Sequence, residues 1–381
     1  MKKVFLLIII LILFLIFSTQ KFIINKKIKD QYYQINQKPP ITHQISKNII
    51  LSPQTNQKKV IEKINFSIFV PYWQLPKNPN EIKESKIFIK NKNKIETHYI
   101  YFGITADENG IDKNENGFFN LEKINSSKEE HLFSSLVLRL LNDEINFKIL
   151  ENNNLQKKII EDTIKITKEK NFSELILDLE INALPFENVI KKINFFVDNF
   201  AQKAKIENLI FSMTIYADTF YRKRPYDIKF ISSKTEKIYV MAYDFHKTLG
   251  NPGPNFPLFG KKEYGYDLSS CVKDFLTIVP KEKLIFVFGL YGYDWTVDKE
   301  NRPIKAASAI TLNQIKKRFL SDPKIQIKRD ALSFENKIEY FDNDFYQHIV
   351  WFEDEVSVEK KQEFLLENGV YQFGYWAFGY Y

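Results

Sequence analysis

Residues 172–180 read Phe172-Ser173-Glu174-Leu175-Ile176-Leu177-Asp178-Leu179-Glu180. Leu175, Ile176 and Leu177 are an unbroken apolar run, the mark of a strand buried on both faces in a parallel sheet. Asp178 and Glu180 stand two apart, so on a strand both side chains leave the same face. They fall at the strand's C-terminal end. Two carboxylates held together there do not ionise independently; one pKa rises, and that group can serve as a general acid. A strand running into a solvated acidic loop gives the same spacing, so the pair alone does not decide a function.

Outward from this strand, apolar runs and helical periods alternate. Strand one begins near Ile64, where Ile64, Phe66, Ile68 and Val70 alternate, and is ended by Pro71-Tyr72-Trp73; strand two spans Thr97–Thr105. An Asn-, Asp- and Gly-rich loop follows to Asn120. The spacing of Phe133, Leu136, Val137, Leu140 and Leu141 predicts a helix from Ser127 to about Asp143. Asn146–Leu150 reads as a short third strand and Gln156–Lys170 as a helix. Beyond strand four, a helix is expected over Glu187–Lys205, strand five over Leu209–Tyr216 and strand six over Lys237–Asp244. A helix over Tyr266–Val279 and strand seven over Leu284–Leu290 follow. Ile310–Asp354 holds extra helix and strand segments. The helix Val356–Glu367, stopped by Gly369, precedes a last strand over Tyr371–Phe378. Eight strands separated mostly by helices indicate an α/β fold, a (β/α)8 TIM barrel with a small α+β insertion between strands seven and eight. The site belongs at the C-terminal strand ends. An open doubly wound sheet is weaker, because no Gly-rich phosphate loop follows strand one.

The chain has 381 residues and a formal net charge of +8. The lysines are spread along it and no block interleaves them with aromatics, so no nucleic-acid partner is expected. The one cysteine, Cys271, lies in a helix-like run and reads as a buried apolar residue. The five histidines show no paired metal spacing; neither a metal nor another cofactor is expected. Lys2-Lys3 and the apolar run Val4–Phe17 resemble an export signal with no small-residue cleavage site. Residues 1–21 are therefore expected to be a signal peptide or membrane anchor, and the polar residues 22–63 a linker. Residues 64–381 form the barrel, which the reading places outside the cytoplasmic membrane, anchored or secreted, as a monomer.

The expected strand ends concentrate acids and aromatics. Strand one closes on Tyr72-Trp73, strand four on Asp178 and Glu180, and strand six on Met241-Ala242-Tyr243-Asp244. Strand seven runs on through Tyr291 to Trp295, and strand eight contains Trp376. Flat aromatic faces beside carboxylates suit a sugar ring. Core packing accounts for any one of these aromatics alone; their joint placement favours a carbohydrate cleft.

Met241-Ala-Tyr243-Asp244 resembles the sixth-strand Met-x-Tyr-Asp signature of glycoside hydrolase family 18, the chitinase family, and Asp178-Leu-Glu180 resembles the tail of its Asp-Gly-x-Asp-x-Asp-x-Glu signature. Gly289–Trp295 and Val350–Glu355 are similar to the family's bacterial spore-germination and cell-wall branch. The resemblance covers about Ile64 to Tyr381. It implies retaining hydrolysis in which the sugar's own 2-acetamido oxygen attacks the anomeric carbon. In that scheme Glu180 is the acid and base, Asp178 orients the acetamide, and Tyr243 donates a hydrogen bond to its oxygen. Asp244 binds sugar or tunes Glu180, Met241 lines the site, and Trp376 is the floor under the ring. Tyr72, Trp73, Tyr291 and Trp295 are expected to offer further sugar-binding surfaces.

Three departures stand out. Ser173-Glu174 replaces the signature's first Asp-Gly, and Ile176 its middle Asp, which in the family tunes the catalytic Asp from beneath. The third strand, taken as ending Leu150-Glu-Asn-Asn, also lacks the family's small residues. Two functions of different class follow: an exported glycosidase acting on a polymer containing N-acetylglucosamine, and a catalytically weak glycan-binding protein on the same barrel. Retention of both Asp178 and Glu180 favours the enzyme.

Overall fold

The structure is a computed structural model that describes residues 63–78, 80–89, 95–125 and 132–381. The expected N-terminal signal or anchor and nearly all of the linker lie outside the described residues. Among the described residues no helix is long and apolar enough to cross a membrane.

Eight parallel strands close into a barrel. They are β1 (Ile64–Pro71), β2 (Ile95–Asp107), β3 (Phe133–Leu140), β4 (Glu174–Leu179), β5 (Ile210–Tyr216), β6 (Ile238–Ala242), β7 (Leu284–Gly289) and the last barrel strand, Gln372–Trp376. Each pairs with its neighbour in chain order, and β1 pairs with both β2 and Gln372–Trp376 to complete the ring. Helices α1 (Asn116–Asn125), α2 (Asp143–Glu151), α3 (Asn153–Glu169), α4 (Glu187–Ile206), α5 (Ile228–Lys234), α6 (Leu268–Leu276) and α7 (Glu355–Glu367) lie among the connections.

Alternation along β4 shows how the two cores arise. Leu175, Leu177 and Leu179 face outward into the large cluster shared with the helices. Ile176 faces inward and packs with Phe69, Ile100, Phe102, Val137 and Tyr239 in the barrel's own core. Below it, Glu174 accepts hydrogen bonds from Ser135 (2.7 Å), Ser212 (2.6 Å) and Tyr239 (3.3 Å), and pairs with Lys237 at 3.1 Å. A buried carboxylate is tolerated when its lone pairs are filled in this way.

Between β7 and the last barrel strand the chain builds a separate antiparallel sheet. Its strands, in chain order, are β8 (Tyr291–Val297), β9 (Ser308–Thr311), β10 (Ile327–Arg329), β11 (Asn336–Phe341) and β12 (Gln347–Phe352). Gln372–Trp376 is β13. The insertion thus begins at Tyr291, not at Ile310, and Tyr291 to Trp295 lie in its first strand and are no part of β7.

The region between β2 and α3 corrects the sequence reading. Phe133–Leu140 is a strand, where a helix was expected, and Asn146–Leu150 belongs to α2, where a strand was expected. Leu136, Val137, Leu138 and Leu140 are buried towards both sides of the sheet, and such a continuous apolar run also satisfies a helical period. Asn142 caps α2, its side chain accepting from the Ile145 N–H at 3.1 Å. Part of the stretch read as a loop to Asn120 is α1. The third strand therefore ends at Leu140, not at Leu150.

Candidate active site

Register on the sheet brings the site together. Arg139 on β3 lies beside Asp178 on β4. β4 pairs with β5 as far as Leu177 against Met213; just beyond, the Thr214 hydroxyl reaches Asp178 and the Tyr216 hydroxyl lies near Glu180. Asp178 is 2% exposed and accepts a hydrogen bond from the Thr214 hydroxyl. Burial raises the Asp178 pKa, and the neighbouring Glu180 charge raises it further; Thr214 and Arg139 oppose both. Burial also raises Glu180. There the Tyr216 hydroxyl, Lys247 and Arg224 act downward, and Asp244 upward. Both carboxyls are thus biased towards holding a proton, as an acid catalyst requires.

The backbone at Glu180 is fixed on both sides. Its N–H donates to the Leu140 carbonyl at 2.9 Å, and its carbonyl accepts from Asn146 Nδ2 at 2.8 Å. The Tyr226 hydroxyl donates to the Leu179 carbonyl and accepts from the Ile181 N–H, both at 2.8 Å. This clamp aims the acid without touching its carboxyl.

Beyond β6, Tyr243 is half-buried beside Trp376, with ring centroids 6.3 Å apart and planes 25° from parallel. Burial and the charges of Asp178, Asp244 and Glu180 hold its phenol pKa well up, so it stays a donor. Asp244 has φ of +59°, a region non-glycine residues enter rarely and Asp more readily than most. Three groups hold it there. Asn255 Oδ1 accepts from its N–H at 2.7 Å, the Tyr293 hydroxyl donates to its carboxylate at 2.7 Å, and the Tyr291 hydroxyl donates to the same oxygen. Asn255 also reaches the Gly289 and Tyr291 carbonyls at 3.1 and 3.3 Å.

Trp376 stands over the barrel core, 4.6 Å from Phe102 and 6.0 Å from Phe69. Trp73, 46% exposed, meets it edge-on at 6.3 Å, with Tyr72 behind at 4.9 Å. Met241 is buried at the end of β6.

Two expected sugar-binding surfaces are corrected. Trp295 is 0% exposed in the insertion's core, its indole N–H donating to the Gly250 carbonyl at 2.9 Å. Tyr291 is buried, with its hydroxyl committed to Asp244. Neither offers a face to a ligand.

Arg139, Thr214, Tyr216, Asn146, Tyr226 and Asn255 were missed. Thr214-Ile-Tyr216 alternates in step with Asp178-Leu-Glu180 on the adjoining strand, a signal legible once both strands are assigned. Arg139 and Asn146 were hidden by the exchanged helix and strand. Arg139 lies over Tyr72 at 4.9 Å and pairs with Glu115 at 3.0 Å, contacts no local pattern announces. Among the described residues no cluster of His, Cys, Asp and Glu could hold a metal ion.

Two acids, a phenol donor and an aromatic floor at the mouth of a closed barrel can bind a sugar ring and protonate an oxygen leaving it. The chain is similar to several known proteins. The cortical fragment-lytic enzyme of Bacillus anthracis is 29% identical over 156 residues, 40% of this chain and 34% of that enzyme; the chain thus matches about a third of that relative's length. The Bacillus cereus spore cortex-lytic enzyme SleL superposes with a TM-score of 0.66 at 18% identity, over 84% of this chain and 72% of that one. A class V chitinase from Nicotiana tobaccum superposes with a TM-score of 0.67 at 14% identity, over 83% and 94%. These two share the fold. The family model described as glycosyl hydrolases family 18 matches residues 30–380, and the chain belongs to that family.

Proposed function

We propose that the protein is an exported, retaining glycosidase that cleaves β-linked N-acetylglucosamine polymers of the cell-wall type by substrate assistance. The observation that carries this reading is the pair of buried Asp178 and half-buried Glu180, both shifted towards protonation, with the Tyr243 donor near both and Trp376 beside Tyr243. The sugar stacks on Trp376. Its acetamide oxygen, aligned by Asp178 and the Tyr243 hydroxyl, attacks the anomeric carbon while Glu180 gives its proton to the leaving oxygen. The resulting carboxylate then takes a proton from the water that opens the cyclic intermediate. Peptidoglycan fits what the names of the cortex-lytic relatives say of those proteins; chitin fits the wider family. One observation favours a binding protein instead: Ile176, with no exposure, puts an apolar side chain where a proton-sharing partner of Asp178 would stand.

The test is to incubate the full chain with N-acetylglucosamine oligomers and with purified peptidoglycan, and to identify products by mass spectrometry. Glu180→Gln keeps the volume and cannot release a proton. Its turnover should fall by at least ~10²-fold, the low end of what a positioned general acid supplies, with binding kept. A parent chain that binds the oligomers and never cleaves them overturns the enzyme reading in favour of the binding protein.

A further inference from the structure

The Tyr216 hydroxyl is buried and has no partner at hydrogen-bonding geometry. A buried hydroxyl is disfavoured without a bond, and the acceptor beside it is the Glu180 carboxyl, close enough for each to perturb the other. The ring is not free to turn away. Arg224 lies over it, with the guanidinium carbon 3.8 Å from the centroid, and Tyr226 stands on another side at 6.4 Å. Arg224 is itself locked. It grips Asp218, 5% exposed, at 2.7 and 3.2 Å, and donates to Asn182 Oδ1 at 2.9 Å. Asn182 lies in the loop leaving Glu180, and Asp218 in the segment leaving β5. The stack therefore ties together the two chain segments that flank the acid.

We propose that Tyr216, pinned beneath Arg224, is a positioning residue for Glu180: its hydroxyl donates to the carboxyl oxygen that does not carry the transferred proton. The transferred proton passes from Glu180 to the leaving oxygen, and the Tyr216 proton stays on its phenol. The bond shortens as the carboxylate forms, as catalytic hydrogen bonds do when the site fills. Tyr216 so holds the acid's orientation and favours its ionised form. The groups facing Glu180 are Asp178 on its own strand, Tyr216 at the end of β5, Arg224 and Tyr226 beyond β5, and Tyr243, Asp244 and Lys247 beyond β6. The Tyr226 hydroxyl is spent on the backbone at Leu179 and Ile181, which leaves Tyr216 as the phenol beside the carboxyl whose proton has no partner. This inference rests on the glycosidase reading above.

The test compares the full chain with Tyr216→Phe and Arg224→Lys. On N-acetylglucosamine oligomers, Tyr216→Phe should lower kcat about tenfold, a fraction of the ~10²–10⁴ a general acid supplies, with KM little changed. Loss of a group that favours the carboxylate raises the acid's pKa, so the alkaline limb of kcat/KM should move to higher pH. The defect should shrink on an aryl glycoside whose acidic phenol departs without a proton. Arg224→Lys keeps the charge and loses the planar stack; it should give a smaller loss with the limb moved in the same direction. Parental kcat and limb in Tyr216→Phe overturn the proposal. So does an equal loss on both substrates with the limb unmoved, which is what a merely structural role gives. Should the parent cleave no glycan, the glycosidase reading fails separately, and carbon NMR titration of the Glu180 carboxyl decides the pairing. A raised midpoint in Tyr216→Phe supports it, and an unmoved one overturns it.

Discussion

Four side chains of β4 and its C-terminal end, Glu174, Ile176, Asp178 and Glu180, share the inward face, and their environments differ at each step. Glu174 meets four donors at the floor, Ile176 packs into the barrel's apolar core, and Asp178 and Glu180 meet each other beside a few partial compensations. Asp178 and Glu180 have raised pKa values, and the sign of the consequence is fixed. A carboxyl whose folded pKa lies above its unfolded one binds its proton more tightly when folded. Its destabilising effect is absent in acid and grows as pH rises from the ordinary carboxylate range through the folded pKa. Asp178→Asn should therefore raise the melting temperature near neutral pH while turnover collapses. The gain should vanish near pH ~4, about the unperturbed Asp pKa, as thermal melts across pH can show. Ile176→Asp should act oppositely. An unpartnered carboxyl in that apolar layer costs several kcal/mol or takes up a proton, so melting should drop and turnover should not rise. Higher turnover with unchanged melting temperature is the result that contradicts this. The acid pair is legible in the sequence because spacing on a strand is a local property, and Tyr243 and Asp244 through the resemblance of residues 241–244 to the family's sixth-strand signature. Arg139 and Asn255 were not, because their partners lie on elements far away in the chain.

At the scale of the element, the sequence failed where two physical models shared one pattern. Phe133–Leu140 satisfies a helical period and is also an uninterrupted run that a strand buried on both faces needs; the barrel's demand for a third strand decides. The insertion shows the converse. Tyr291, Tyr293 and Trp295 alternate along β8, with side chains on one face of the sheet, and all three are buried together with Ile349 and Trp351 of β12. Their aromatic character serves packing and support of Asp244, whereas Trp73 keeps an open ring at the mouth. The two tryptophans should separate cleanly. Trp295→Ala removes a fully buried side chain and should cost about 3–5 kcal/mol of stability, with KM for N-acetylglucosamine oligomers unchanged in the folded fraction. Trp73→Ala should leave melting nearly unchanged and raise KM. A rise in KM from Trp295→Ala at parental stability is the outcome that would return Trp295 to the sugar.

Taken as a whole, the molecule joins barrel, outer helix and insertion through one buried ionic group. Lys361 on α7 contacts Glu335 at 2.8 Å and also Glu353, and all three side chains are 0% exposed. Glu335 precedes β11, and Glu353 follows β12. Glu335 further accepts from the backbone N–H groups of Asn255 at 2.5 Å and Phe256 at 2.8 Å, in the long loop after β6. Asn255 is the residue that holds Asp244 in its positive-φ conformation. A chain of bonds thus runs from α7 through the insertion to the carboxylates of the site. None of it could be read in advance, since a lone Lys in an amphipathic helix looks like a solvated residue. Burial raises the Glu353 pKa, Lys361 opposes that rise, and the Glu335 charge adds to it, so the cluster depends on its one cation. Lys361→Met fits the space and strands two buried carboxyls. Breaking a buried pair in this way typically costs ~3–5 kcal/mol, and the melting temperature should fall accordingly. The altered Glu335 should also loosen the Asn255 loop, so kcat per folded molecule should drop although Lys361 touches no site residue. Adding Glu353→Gln removes one of the stranded charges and should restore part of the stability. If Lys361→Met melts with the parent, or melts early yet turns over at the parental rate per folded molecule, the corresponding link in this chain is absent.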